Sequence, residues 1–387
     1  MIDIGFKDSV KRELCVLGSR RIYLAMMVVV PVLLCLFFTG LLRPGLPLKV
    51  PTAVVDLDRS SMSRQVVRSL RSVELLDAAR SCDSYDEAMR LMRRGDIYGF
   101  VVIPADFEKE TVTGKSPTLE YYNNLTYFVP GTLAFKGFTT VAVGTAGNVV
   151  KSKLAAQGVS KITIAGLSQP ISVQTLQIGN PWSSYAIYLC PSFIFGSLAL
   201  LIMLMTVFGI TSEIKHGTSR EWLAAARGHI GVAIMGKALP HFVIWSVIGQ
   251  FALALMFCYN GFPCANLPLM MVAVEMFIIA SQALGVLFAC IMPNPRMALT
   301  MASFLGILSF SFAGFSFPVS QMYGAIGVFS YIVPVRHLFL TYIITGLDGF
   351  PLYYARIHMA VLALFPILAG AMLWRLKKAC LKPVYVP

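Results

Sequence analysis

A chain of 387 residues that is 57% hydrophobic and only 13% charged is not an ordinary soluble protein, which carries about twice that charge density. The net charge of +13 does not mark a nucleic-acid surface, because the basic residues flank apolar runs instead of forming one stripe; such an excess fits the positive-inside rule. Eight cysteines without a CxxC pair, most of them in or beside apolar runs, exclude a disulfide framework and a metal site.

In chain order, residues 1–21 are amphipathic. Ile4, Val10, Leu14 and Leu17 recur near helical spacing with Lys7, Lys11, Arg12, Arg20 and Arg21 between them, which predicts a helix lying in the cytoplasmic interface. Ile22–Leu42 follows as a first membrane span. At ~1.5 Å per residue it crosses a hydrocarbon core of ~30 Å, and it is too long for a signal peptide and lacks a small-x-small cleavage site.

Residues 43–185 change character, holding 16 Lys/Arg and 12 of the chain's 19 Asp/Glu. Strands are expected at Thr52–Val55, Val73–Ala79, Tyr98–Ile103 and Thr118–Tyr122. Helices are expected over Ser60–Leu70 and from Ser84, which has capping-box spacing, through Arg94 to the stop at Gly95. A long helix is expected from about Phe128 to Gln157. The alternation predicts a small α/β domain between the first two spans, and no catalytic constellation stands out in it.

Five more apolar runs complete six spans: Ala186–Ile210, Leu239–Tyr259, Leu267–Met292, Ala298–Phe317 and Ala355–Trp374. With residue 1 inside, Arg20, Arg21, the 211–237 insert, Arg296 and the basic tail (376–387) all fall in the cytoplasm, so both ends are expected there and the 43–185 domain outside. The apolar stretch 319–354, on the outer side, is expected to form two short re-entrant helices broken at Pro334 and Gly346. The fold class is therefore an α-helical integral membrane protein with six transmembrane helices, an inserted α/β domain and outer re-entrant helices. The five later spans, residues 186–375, form one domain.

Few motifs carry chemistry. Gly231 to Ala238 fits most of a phosphate-loop pattern, but Ala238 replaces the magnesium-holding hydroxyl and no strand precedes it, so ATP binding by this chain is not expected. Glu275 is the one clear carboxylate inside an apolar run. It would either handle a substrate or a proton, or pair with Arg336, Arg356 or His337. Arg336 could line an exit path or snorkel to headgroups. Small residues in the fifth span and its end (Gly306, Ala313, Gly314) suit close helix packing.

The polar insert Thr211–Lys237 is the most informative stretch. Thr211 or Ser212 can cap a helix, Glu213 and Glu221 would sit near helical N-termini, and Ser219–Ala226 reads as a short helix exposing Trp222 and Leu223. Its order, Glu213-x-x-x-Gly217-Thr218-x-x-Glu221-x-Leu223, then Gly236-Lys237-x-x-Pro240, resembles the segment after the second span of type-2 ABC exporter permeases. Asn180-Pro181 before Pro191, Gly285, Gly314-Phe-Ser-Phe-Pro318, Pro334 and Gly346 extend the resemblance along the chain. Ala224-Ala-Ala-Arg227-Gly228 stands where that family usually has a proline.

The resemblance implies a permease subunit in the bacterial inner membrane. Its coupling helix (211–230) would dock on a cytosolic ATPase through Glu213, Gly217, Thr218, Glu221 and Trp222. ATP and magnesium would be held by that partner and no cofactor by this chain. Implied partners are a second permease, identical or paralogous, a periplasmic adaptor protein and membrane lipid, with no nucleic acid. A second reading from the residues is a membrane-anchored periplasmic receptor or scaffold, which would have no ATPase partner.

Overall fold

A computed structural model describes residues 2–156, 158, 179–181, 184–315 and 318–382. The chain divides into two compact units, Met1–Gly45 with Gln177–Pro387, and Leu46–Leu176.

The Leu46–Leu176 unit is built on a four-stranded sheet. Strand β1 (Val50–Asp56) runs parallel to β2 (Leu76–Cys82) and β3 (Gly99–Ile103), while β4 (Glu120–Asn123) closes the edge antiparallel to β3, giving the order β2-β1-β3-β4. Central β1 and β3 are apolar on both faces, as a sheet covered on both sides requires. Val54, Val101 and Ile103 pack with Val66, Leu70 and the long helix Phe128–Ala156 through Leu133 and Val141. Ala53, Val55 and Phe100 pack on the other face with Ala88 and Ile97.

The expected Val73–Ala79 strand is displaced to Leu76–Cys82, because Val73 ends the preceding helix and Leu76 is the residue in register with Val50. As an edge strand whose second half is Arg80-Ser81, β2 carries little apolar signal. The fourth strand is likewise later than expected, and a helix over Phe107–Val112 joins β3 to β4.

The caps are local and match the sequence. Ser60 accepts from the Ser63 amide at 3.0 Å, and Ser84 accepts from the Glu87 amide while the Glu87 carboxylate takes the Asp83 amide at 3.0 Å. Ser60→Ala is expected to cost about 1 kcal/mol of local stability. Hydrogen exchange would show this as several-fold faster exchange over Ser61–Arg64 with the sheet amides unchanged.

The other unit is helical. Six of its helices are long and apolar enough to cross a membrane: Arg21–Leu42, Tyr185–Lys215, Ile230–Tyr259, Leu267–Ile291, Pro295–Phe312 and Leu352–Leu381, numbered here as spans 1 to 6. An N-terminal helix, Ile2–Ser19, precedes them. Spans 2 and 4 are the most enclosed and meet through small residues. A Cβ on Gly285 would lie 2.9 Å from Thr206 Cβ, and one on Gly306 of span 5 would lie 2.4 Å from Leu200 Cδ1, so these helices touch backbone to side chain.

Between spans 5 and 6, helices Gly324–Ser330 and Pro334–Leu347 meet at 83°, the break falling just before Pro334. The helix turns wide over Tyr342–Leu347, where Gly346 faces the Tyr342 ring; a Cβ there would lie 2.8 Å from Tyr342 Cδ2. The eight cysteines are free thiols.

Candidate functional site

The polar insert differs from its sequence reading in one decisive way: span 2 does not stop at Ile210. It continues to Lys215, with Thr211 Oγ1 donating to the Val207 carbonyl four residues back at 2.8 Å instead of capping a new helix. Glu213 therefore lies in the last turn of a 31-residue helix, where the helix dipole disfavours a negative charge. Cations must offset it, and they come from far away in sequence.

Arg12 of the N-terminal helix grips Glu213 with both guanidinium nitrogens, at 2.7 and 2.8 Å. Lys237 of span 3 reaches Glu213 Oε1 at 3.2 Å and also donates to Glu13 Oε2 at 2.5 Å. His241, one turn further along span 3, donates from Nε2 to Glu13 Oε1 at 2.9 Å. Two carboxylates thus meet a guanidinium, a lysine amine and an imidazole in a largely buried cluster that joins the N-terminal helix, span 2 and span 3.

Burial alone would raise the Glu13 carboxyl, but the His241 hydrogen bond and the Lys237 charge hold it below the usual carboxylate range. Its contribution is therefore complete at neutral pH and fades only as pH falls through that lowered value.

Periodicity marks Arg12 only as part of the basic face of the N-terminal helix, Lys237 enters only through the phosphate-loop pattern and the Gly236-Lys237-x-x-Pro240 order, and neither Glu13 nor His241 is singled out by the sequence. Glu13 carries no distinguishing local signal, since the same helix also holds Asp3 and Asp8 beside Lys7, Lys11 and Arg12.

After Lys215 the chain turns at Gly217, whose φ of +74° is open to glycine and which has empty space where a Cβ would lie. Thr218 Oγ1 donates to Glu213 Oε2 at 2.5 Å, tying the start of the short helix Ser219–Ala225 to the cluster. The same end is tied a second time. Ser219 Oγ donates to the Cys380 carbonyl at 2.9 Å and Arg220 Nε to the Leu381 carbonyl at 3.1 Å, both at the end of span 6.

Trp222 and Leu223 are not exposed as expected; both are buried. Trp222 turns inward, with Lys237 Nζ 5.4 Å from its ring centroid. The reason is register: with Gly217 as the turn, the buried side of this short helix is Ser219, Trp222, Leu223 and Ala226. The side facing out carries Arg220, Glu221, Ala224 and Arg227, with Lys215, His216 and His229 flanking it. Glu221 occupies the first helical turn, as the sequence indicates.

The other two predicted residues are separate from this cluster. Glu275, half-buried in span 4, pairs with none of Arg336, Arg356 or His337. It accepts from Ser246 Oγ and Gln250 Nε2 of span 3, each at 2.6 Å, because spans 3 and 4 are antiparallel neighbours and bring these side chains level with it. Arg336 lies over the Tyr331 ring at 5.3 Å. Buried His337 hydrogen-bonds the Tyr331 carbonyl at 3.0 Å and faces His358 Nδ1 at 3.3 Å.

Chemically, the cluster works as a brace, its carboxylates each paired with cationic or imidazole side chains from other helices. It fixes an exposed, charged helical turn to the end of three membrane helices. The family model described as ABC-2 family transporter protein matches residues 21–375 of the chain. No curated protein matches it.

Proposed function

Because this chain belongs to the ABC-2 family of transporter proteins, we propose that it is the permease subunit of a bacterial ATP-driven exporter, working with a separate cytosolic ATPase. The observation that carries this reading is the brace. A short helix with its polar face turned out is anchored at Thr218, Ser219 and Arg220 to the ends of spans 2 and 6 and, through Glu213 and Lys237, to span 3. A push on that face reaches several membrane helices at once.

On this reading, the ATPase docks on the 211–226 segment, with Arg220, Glu221 and Arg227 meeting it. Gly217 and Thr218 form the turn, and Glu213 and Trp222 transmit force from inside. ATP and magnesium sit on the partner. The termini and this segment are cytoplasmic, and the Leu46–Leu176 unit is periplasmic, where it shapes the exit or meets an adaptor. The bent pair around Pro334 is re-entrant, and a second permease completes the path for a lipophilic drug, a lipid or a polymer.

Affinity purification of the tagged chain in mild detergent, followed by mass spectrometry, tests this. A cytosolic Walker-motif ATPase should co-purify and be lost on replacing Gly217-Thr218. Glu221→Arg, on the outward side and outside the anchoring hydrogen bonds, should weaken its retention at least tenfold while leaving the thermal midpoint of the permease unchanged. Recovery of periplasmic proteins alone, under conditions that keep a known exporter intact, would support a membrane-anchored receptor instead.

A further inference from the structure

Glu275 is treated by this fold unlike Glu13 and Glu213. Glu13 and Glu213 each receive a lysine and a second cation or imidazole. Glu275 takes part in none of the ion pairs among the described residues, and its partners, Ser246 and Gln250, are neutral. It lies eight residues into span 4, about 12 Å along the helix from Leu267. Helical spacing places exposed Met271, Val272 and Ile279 on its own side of span 4. Exposed Val243 and Val247 lie beside Ser246 and Gln250 on span 3. A carboxylate therefore opens onto an apolar surface that faces away from the chain's own core.

The hydrogen bonds decide what could meet it there. The one hydroxyl proton of Ser246 goes to Glu275 Oε2. The Gln250 amide nitrogen gives one proton to Glu275 Oε1 and the other to the Met271 carbonyl at 3.3 Å, and these two acceptors fix which way the amide faces. The cluster has then used every donor it owns. What remains is acceptor capacity: lone pairs on both carboxylate oxygens, on Ser246 Oγ and on the Gln250 carbonyl. Such a surface complements a group that only donates and is positively charged, and a protonated primary amine, with three N–H donors and no acceptor, is that group.

We propose that Ser246, Gln250 and Glu275 form a binding site for the primary ammonium group of a membrane-dissolved amphiphile, its apolar body lying along Val243, Val247 and Val272. The site belongs to this chain alone, so the inference holds or fails whether or not an ATPase drives the protein. The amine could belong to a lipid headgroup or to a non-lipid amphiphile, and the shared chemistry is the ammonium on an apolar tail.

The test uses the full-length chain, with whatever co-purifies, in phosphatidylcholine nanodiscs at pH 7, and a photo-crosslinkable dodecylamine as probe. Peptides from spans 3 and 4 should be labelled. Glu275→Gln, with an unchanged thermal midpoint, should lower labelling at least tenfold. Without any variant, excess dodecylamine should compete and excess dodecanol should not, because the alcohol brings no charge. Dodecyltrimethylammonium, which has the charge but no N–H donor, should compete at least tenfold less well than dodecylamine. Competition by phosphatidylethanolamine added to the nanodiscs would assign the amine to lipid, and its failure to compete would assign it to a non-lipid amphiphile. Equal competition by dodecanol, undiminished labelling of Glu275→Gln, or no labelling of spans 3 and 4 would overturn the proposal.

Discussion

Glu213→Lys is expected to abolish ATPase activity coupled to the permease and to destabilise the helical unit by about 3–5 kcal/mol, the range for breaking a buried ion pair from one side. Glu213 is buried, and the substitution would place three cations, Arg12, Lys237 and the new lysine, around the single carboxylate of Glu13. The Thr218 tie to the carboxylate would be lost with it, leaving the turn at Gly217 held to span 2 by hydrogen bonds to backbone carbonyls, such as Gly217 N–H to the Ile214 carbonyl at 3.2 Å.

Glu213→Gln should be milder. It keeps a carbonyl oxygen for Arg12 or Thr218 and adds no charge. The check is a paired measurement on both variants: thermal unfolding of the tagged chain in detergent, and ATP hydrolysis with the co-purified partner. Wild-type stability in Glu213→Lys would mean that water reaches this pocket, contrary to the structure. Lost stability with intact coupled hydrolysis would remove Glu213 from the force path.

Gly236→Ala is expected to cost about 1–3 kcal/mol, the usual penalty for overpacking, and to loosen the N-terminal helix from span 3. A Cβ at Gly236 would lie 2.4 Å from Ser9 Oγ and 2.5 Å from Ser9 Cβ, closer than real side chains approach. This contact lies one residue from Lys237, so a shift there would also pull Lys237 away from Glu13. The obstacle is the short side chain of Ser9, whose hydroxyl is buried and has no hydrogen-bond partner among the described residues. Ser9→Gly should therefore restore most of the stability lost in Gly236→Ala. Thermal midpoints of the two single variants and the double variant measure this; failure of the double variant to recover would show that the strain lies elsewhere.

The ion cluster also shows why part of the site was invisible in the sequence. Arg12 and Glu213 are 201 residues apart, and Lys237 and Glu13 are 224 apart. Hydrophobic periodicity reports which face of a helix is buried, never which distant helix lies against it. The same limit misplaced Trp222: an aromatic residue on a polar insert reads as presented outward until the turn at Gly217 sets the register of the helix. For Glu275 a signal did exist. Ser246 and Gln250 are spaced one helical turn apart inside an apolar run, and two polar side chains at that spacing suggest a partner on a neighbouring helix.

What the sequence determined by itself was everything governed by local chemistry. Long apolar runs become membrane helices because a buried backbone must satisfy its own hydrogen bonds. Alternating short apolar runs become a covered sheet, serine caps open helices at Ser60 and Ser84, and Gly95 closes one. The order of residue types around Gly217 resembles that of the transporter family. Only the tertiary structure decided how far span 2 runs, which charges meet, and which side of the Ser219–Ala225 helix faces outward. A charge in a low-dielectric interior is tolerated only with its counter-charge beside it, and which residues serve as that counter-charge is set by helix packing, not by neighbours in the chain.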